Sequence, residues 1–455
     1  MPQPWMCTVL ALAAIAASAG EHPRPKPPAD TAGYGQHIQR TMTLLATSTP
    51  EKRNKVRILF YGQSITVQPW WKQVEADLRR RFPHADLECA NLAIGGFASQ
   101  LLVRTAEYDL YPFYPDLLIF HVYGHHVRYE DIIRRTRERT TAEILIQTDH
   151  VTREVEDDWT RKMNYTFLPA YATKYGCQLS RIRESWKRYL ADNALKPQQL
   201  LRDAVHLNEH GEFLMAELVN QELVYRPDLP QDEWKGLVRE YAVGKDVQWA
   251  GDRLTLEFEG NRVVALAEPT GGGKCRVLLD GKKPSEFPEL YYHARPSGTA
   301  NIGWPAIKAI GWGKPLVLEE WTLTCTGIND PADDFRFSVV GSKTGPDGEG
   351  TAKERFVSKS GRVVIEPDDW VFAYDRKVSN KPTPNGFRVR WQVLPLFRDD
   401  FEAPTLADYA GHELSTVLAQ GLPNGRHKLE LVGKAAIKAI RVHKPPVAIT
   451  AEPRQ

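Results

Sequence analysis

Cysteine is scarce in this sequence, and none of it is paired for metal binding: Cys7, Cys89, Cys177, Cys275 and Cys325 include no Cys-x-x-Cys. Four thiols beyond Cys7 do not make a disulfide scaffold in so long a chain; Cys275 and Cys325 lie in the same later region, and their pairing stays open. An excess of one charge is also missing. Lys and Arg number 59 against 57 Asp and Glu, a net +2, which speaks against a nucleic-acid footprint and against an acidic tail. The His-x-x-x-His spacings His121/His125 and His206/His210 fall outside the expected helices, and no His-Glu-x-x-His occurs. Nor is there a long hydrophobic run: the apolar stretch 6–17 is too short to span a bilayer comfortably. It ends in Ala17-Ser18-Ala19, which fits a signal peptide over 1–19 and a secreted or periplasmic product, although residues 1–5 hold no Lys or Arg. No membrane association is expected after its removal. Residues 20–55 read as a leader or linker, whose proline-rich part, 21–30, has nothing to pack with.

What remains is an ordinary globular composition, 42% hydrophobic and 25% charged over 455 residues, enough for two or three domains. Residues 56–230 alternate apolar runs with amphipathic segments. Strands are expected at 56–61, 86–92, 116–123, 143–148 and 177–182, with helices over 71–82, 129–139, a stretch ending near 175 and 212–223. This alternation predicts an α/β domain with a flavodoxin-like parallel sheet ordered 2-1-3-4-5, which puts Cys89 and Cys177 at opposite edges. The run Arg134-Arg135-Thr136-Arg137-Glu138-Arg139 reads as a solvated helix face.

After Pro227-Asp228-Leu229-Pro230 the texture changes to short alternating runs. Leu254, Leu256 and Phe258 alternate before a Gly260-Asn261 turn, and residues 422–425 read as a second turn. Residues 231–446 are expected to form an antiparallel β-sandwich or jelly roll, with 287–401 as an insertion or second β module and 447–455 as a tail.

The chemistry gathers in two places. The run Val56-Arg57-Ile58-Leu59-Phe60-Tyr61 breaks at Gly62-Gln63-Ser64-Ile65, which places Ser64 at the carboxyl tip of the first strand, where open α/β sheets build their sites. Ser64 is a candidate nucleophile, with a plain helix N-cap as the alternative. Before the last helix stands Asp203-Ala204-Val205-His206: a carboxylate three residues ahead of an imidazole can fix its tautomer and leave the other nitrogen to take a proton.

Together with the turn Asn91-Leu92-Ala93-Ile94-Gly95-Gly96 and the turn Tyr123-Gly124-His125-His126, this order resembles the SGNH/GDSL hydrolase family of serine esterases and lipases, over about residues 56–226. The resemblance implies Ser64 as nucleophile, Asp203 and His206 as orienting acid and base, and an oxyanion hole from the backbone N–H groups of Ser64 and Gly96. His125 stands where members usually carry an Asn donor; an imidazole N–H can donate as well. Gln63 stands where many members have Asp, a replacement also found in members acting on acetylated carbohydrates. Gln63, His126 and His150 are candidate substrate contacts, an acylated carbohydrate is the expected substrate, and no cofactor or metal is implied.

Two other readings compete. His121, His125, His126, Asp149 and His150 are material for a metal-dependent hydrolase, since several follow the third and fourth strands. A carbohydrate-binding protein on a degenerate esterase fold is the second, with Trp304, Trp312, Trp321, Trp370 and Trp391 available to stack on sugar rings.

Overall fold

In the computed structural model, which describes residues 22–230, 236–269, 271–406 and 409–447, the apolar runs of the first half pair into one all-parallel sheet. Its strands are β1 (Lys55–Gly62), β2 (Asp86–Asn91), β3 (Leu117–His121), β4 (Glu143–Gln147) and β5 (Gln178–Ser180), in the order β2-β1-β3-β4-β5. Side chains alternate across the sheet. Val56, Ile58 and Phe60 enter a core with residues of the helices Trp70–Arg81, Ile182–Asp192 and Glu209–Glu222, whereas Leu59 and Tyr61 enter a second core with His126–Arg139 and Leu168–Tyr175. Helices therefore cover both faces, which is why these strands are apolar throughout.

The stretch read as a leader is part of this domain. A helix over Gln39–Ala46 buries Met42 and Leu45 beside Ile38 in the first core, and the N–H groups of Arg40 and Thr41 donate to the Glu143 carboxylate at 2.9 and 2.8 Å. The proline-rich part also finds partners, which corrects the reading that it has none. The His22 ring stacks on His210 with centroids 3.9 Å apart, and the Tyr189 hydroxyl donates to the Pro23 carbonyl at 2.8 Å. The segment read as a signal peptide lies outside the described residues, as does nearly all of the tail. Among the described residues no helix is long and apolar enough to cross a membrane.

The basic run at 134–139 is not a plain solvated face. Arg137 is buried and donates to the carbonyls of Tyr175, Ala142 and Gly176, closing the loops at the foot of its helix, and Arg139 pairs with Glu107.

The second half is antiparallel β. One sheet runs through the strands Asp400–Glu402, Gly273–Leu279, Ser415–Ala435, Arg253–Ala267, Ile437–His443 and Val238–Ala242, with Trp249–Ala250 beside Arg253–Ala267. The two turns expected in it are absent as turns. Gly260 and Asn261 lie inside one 15-residue strand, where a side chain on Gly260 would sit 2.3 Å from the His443 carbonyl oxygen. Residues 422–425 lie inside the 21-residue strand Ser415–Ala435, whose register shifts between Gln420 and Gly425, so turn-forming residues here make a bulge. Burial alternates from Arg253 to Glu259 and becomes continuous from Gly260 to Ala267. At that point the first domain covers the other face: Asn261 accepts from the Tyr114 hydroxyl at 2.9 Å and donates to the Arg139 carbonyl at 2.8 Å.

Within residues 287–401 a second sheet forms from Tyr291–His293, Arg388–Pro395, Glu320–Thr326, Arg336–Gly341 and Gly345–Thr351, with its own core around Trp321, Leu323, Phe335 and Phe337. The segment leaves from one strand of the larger sheet, Gly273–Leu279, and returns as Asp400–Glu402 antiparallel to it. Cys275 and Cys325 belong to different sheets, and all four described cysteines are free.

Candidate active site

Ser64 occupies the first position of a short helix, Ser64–Val67, directly after β1. The N-cap is Gln63, which makes no side-chain cap bond, so the Ser64 hydroxyl is not spent on capping. The turn is tight because Gly62 stands against β3: a side chain there would lie 2.0 Å from the His121 carbonyl oxygen and 2.5 Å from Thr66 Oγ1. Only glycine lets strand and helix meet at this angle.

Residues 91–96 close over the turn. Asn91 Nδ2 donates to the Thr66 carbonyl at 2.6 Å, and the Ile94 N–H donates to the Gly62 carbonyl at 3.0 Å. Gly95 faces Ser64 directly, with a built Cβ 3.8 Å from the Ser64 Cβ. As the first helical residue, Ser64 has an N–H without an intrahelical acceptor. The Gly96 N–H has no acceptor either among the described residues. Two unsatisfied backbone donors thus stand on adjoining turns.

The loop before the helix Glu209–Glu222 carries Asp203 and His206. His206 Nδ1 lies 2.8 Å from Asp203 Oδ2, while Asp203 Oδ1 accepts the N–H groups of Val205 and His206, each at 2.8 Å. The N–H of His206, then that of Val205 and the imidazole itself, hold the Asp203 carboxyl far below the usual carboxylate range. A carboxylate accepts only, so Nδ1 carries the proton and Nε2 presents its lone pair.

Gln68, four residues after Ser64, ties the two pieces together. Its Oε1 accepts the Leu207 N–H at 3.0 Å and its Nε2 donates to the Leu207 carbonyl at 2.8 Å. Among the described residues the Ser64 hydroxyl makes no hydrogen bond, to His206 or to any other group.

His150 is placed differently from its reading as a substrate contact. It is 4% exposed, stacks obliquely on Trp186 and donates from Nε2 to the Val205 carbonyl at 2.8 Å. It therefore buttresses the Asp203–His206 loop from below. Burial pushes its imidazole down to about 4, so it is neutral at pH 7.

Beside it His121 Nε2 lies 3.1 Å from Asp149 Oδ1, and Asn164, in a π-helical turn over Met163–Phe167, holds the other Asp149 oxygen at 3.1 Å. Burial alone would raise the Asp149 carboxyl; the His121 hydrogen bond and charge, with Asn164, outweigh it and hold it low. His126 stacks on Phe167 at 3.9 Å and shares its Nδ1 with the Tyr171 hydroxyl. These histidines are engaged separately, and among the described residues no group of three or more His, Cys, Asp or Glu is placed to hold a metal ion. The metal-dependent alternative has no ligand set there.

His125 occupies the N-cap position of the helix His126–Arg139 at an exposed site, with its ring parallel to that of His126 and its backbone N–H donating to Gln100 Oε1 at 3.4 Å. Gln63 is 4% exposed, and its side-chain amide has no hydrogen-bond partner among the described residues.

Of the five tryptophans, Trp321 and Trp391 are core, stacked on one another. Trp304 has the position that matters. Gly96 has φ +82°, and a side chain on it would lie 2.7 Å from Trp304 Cζ2. Tyr374 stacks on Trp304 with centroids 4.6 Å apart and donates its hydroxyl to the Gly96 carbonyl at 3.1 Å. The insertion thus roofs the glycine turn. Arg295 fixes it by a two-pronged pair with Asp109 at 2.9 and 2.7 Å.

Gln68 and Tyr374 are not readable from the sequence as site residues, and Trp304 is one of five tryptophans offered for sugar stacking with nothing to set it apart from the others. A glutamine one turn after the serine carries no motif, and two aromatics among the many of a β region carry no address.

No family model matches this sequence, and no curated protein matches it. Similar solved structures include an acetylxylan esterase from Geobacillus stearothermophilus, 17% identical over 39% of this chain and 98% of its own, with a TM-score of 0.34. A GDSL-like lipase from Parabacteroides merdae is 16% identical over 38% of this chain and 98% of its own, TM-score 0.34. A two-domain esterase active on acetylated mannans is 13% identical over 92% of this chain and 98% of its own, TM-score 0.36. By its own strand order the first domain is a flavodoxin-like α/β domain with an all-parallel sheet, and an antiparallel β region follows it in this chain.

Proposed function

We propose that this protein is a serine carboxylic-ester hydrolase that removes acetyl or similar acyl groups from a carbohydrate. The observation that carries this reading is the Asp203–His206 pair, tautomer fixed and Nε2 free, on a loop that Gln68 ties to the Ser64 turn. In the reaction Ser64 Oγ attacks the ester carbonyl as His206 Nε2 takes its proton. The N–H groups of Ser64 and Gly96 receive the developing oxyanion, with the His125 ring as a third donor. His206 then protonates the departing sugar oxygen, and water, deprotonated by the same nitrogen, releases the acid. The carbohydrate part of the reading draws on Gln63 and on the aromatic roof of Trp304 and Tyr374 over Gly96.

The test is hydrolysis of 4-nitrophenyl acetate and of an acetylated oligosaccharide, together with labelling by a fluorophosphonate. Activity should fall at least about a thousandfold in Ser64→Ala and in His206→Ala, and the adduct should map to Ser64.

The Ser64 hydroxyl's lack of a hydrogen bond favours one other reading, a sugar-binding protein on an inactive hydrolase fold. Apo enzymes often hold such contacts long and tighten them with substrate. Oligosaccharide binding without hydrolysis, unchanged in Ser64→Ala, would decide for that alternative.

A further inference from the structure

Between the hydrolase turns and the β insertion lies a cavity of about 360 Å³, and the backbone of Gly96 forms part of its wall. Tyr123 and Gln100 line it from the hydrolase side, and Lys308, Trp370 and Tyr374 from the insertion. Tyr123 is exposed and its hydroxyl has no partner among the described residues, so one aromatic face and one polar tip are open to a ligand.

Lys308 is the one charged side chain in the lining. It is half-buried, and among the described residues no carboxylate lies within ion-pairing distance of its amine. Asp369, whose charge acts on it, is held by Arg104 through two contacts of 3.0 and 2.6 Å. Exposed Asp368 adds a weaker negative influence. Burial pushes the Lys308 amine down from its ordinary value, and the two aspartates offset only part of that. A partly desolvated ammonium with no ion-pair partner of its own carries a standing cost that an anionic ligand group removes.

We infer that this cavity is a subsite for a sugar ring bearing a carboxylate, a hexuronic acid unit of the glycan, with Lys308 as the carboxylate partner and Tyr123, Trp370 and Tyr374 as walls for the ring. The aromatic walls match the apolar faces of a pyranose, and the single cation matches one acid group. This inference rests on the esterase reading for its orientation toward Ser64 and names the class of substrate that reading leaves open: acylated acidic polysaccharides.

The experiment compares kcat/KM for an O-acetylated methyl hexuronoside with that for the matched O-acetylated methyl hexoside, which differ only in the carboxylate. The wild-type protein should favour the uronoside by about ten- to a hundredfold, the range for a hydrogen bond to a charged group. Lys308→Met should bring the ratio near one and Lys308→Arg should keep it. A wild-type ratio near one, or a preference that survives Lys308→Met, overturns the subsite. If neither ester is hydrolysed, the esterase reading fails by itself and calorimetry with the unacetylated methyl hexuronoside judges the cavity. Binding that Lys308→Met abolishes then supports it, and no binding, or equal binding to both proteins, overturns it.

Discussion

His150 donates from Nε2 to the carbonyl of Val205 at 2.8 Å, so a buried, neutral imidazole holds the centre of the loop whose ends are Asp203 and His206. Removing the donor while keeping an aromatic ring against Trp186 separates support from packing. His150→Phe should lower kcat by about ten- to a hundredfold with little change in KM, as expected when a base is misplaced by a fraction of an ångström. His150→Asn, which can donate again, should recover part of the loss. Equal kcat values in His150→Phe and the parent would remove His150 from the account.

Acid should weaken the fold between about pH 6.5 and 4. Burial pushes the imidazoles of His150 and His293 down to about 4, and that of His443 is also lowered by burial and by nearby arginines. With folded values below unfolded ones, the unfolded chain binds more protons in that window, so stability falls as pH falls. Each shift of the size seen for His150 corresponds to something on the order of 3 kcal/mol. Glu222 works in the opposite sense: burial pushes its carboxyl up to about 8, so it gains stability as pH drops from there. Melting temperatures from pH 7.5 to 4 are expected to decline, and the slope should be shallower in His150→Phe. A flat profile in the wild type would contradict the assignment of neutral buried histidines.

Gln68 is expected to matter for turnover out of proportion to its distance from the chemistry. Gln68→Leu strips both Leu207 hydrogen bonds and strands a buried N–H and C=O, a cost of about 1–3 kcal/mol for each group. Gln68→Glu keeps an acceptor for the Leu207 N–H but loses the donor and sets a second carboxylate beside Glu212, which Gln68 now contacts at 3.0 Å. Both should cut kcat, and Gln68→Glu should become worse as pH rises. Pre-steady-state kinetics would place the loss in the acylation step.

Gly96→Ala combines a strained backbone with a collision. The φ of +82° disfavours any side chain, and the methyl group would meet Trp304 at 2.7 Å. Activity is expected to drop at least about a hundredfold through displacement of one oxyanion donor. The double variant Gly96→Ala with Trp304→Ala should recover some stability, since it frees the space, but not the activity.

His125→Ala tests the third donor. Losing an oxyanion donor typically costs roughly 3 kcal/mol, so kcat should fall by about two orders of magnitude, and His125→Asn should restore most of it. An unchanged kcat in His125→Ala would mean that the backbone N–H groups of Ser64 and Gly96 act alone.

The parallel sheet was legible because a strand buried on both faces must be apolar along its whole length, and Val56 to Tyr61 could be little else. Ser64 and His206 stood out because strand ends and a short Asp-to-His spacing are local features. What escaped is non-local. Nothing near His150 in sequence tells that its ring reaches Val205, 55 positions away, nor that Trp304 lies on Gly96. The turn expected at 422–425 failed for a related reason: residues that bend a chain also fit a bulge, and the neighbouring strand decides which. Residues 20–55 looked like a spacer because one short helix over Gln39–Ala46 carries its apolar contacts.

The excursion over 287–401 departs from one strand and comes back alongside that same strand. Its two attachment points are therefore neighbours, and exchanging it for a segment of different chemistry would leave the pairing on either side undisturbed. The roof above Gly96 is in this sense a replaceable fitting: its surface can be varied by grafting, while the Ser64 turn and the Asp203–His206 loop, encoded upstream, stay as they are.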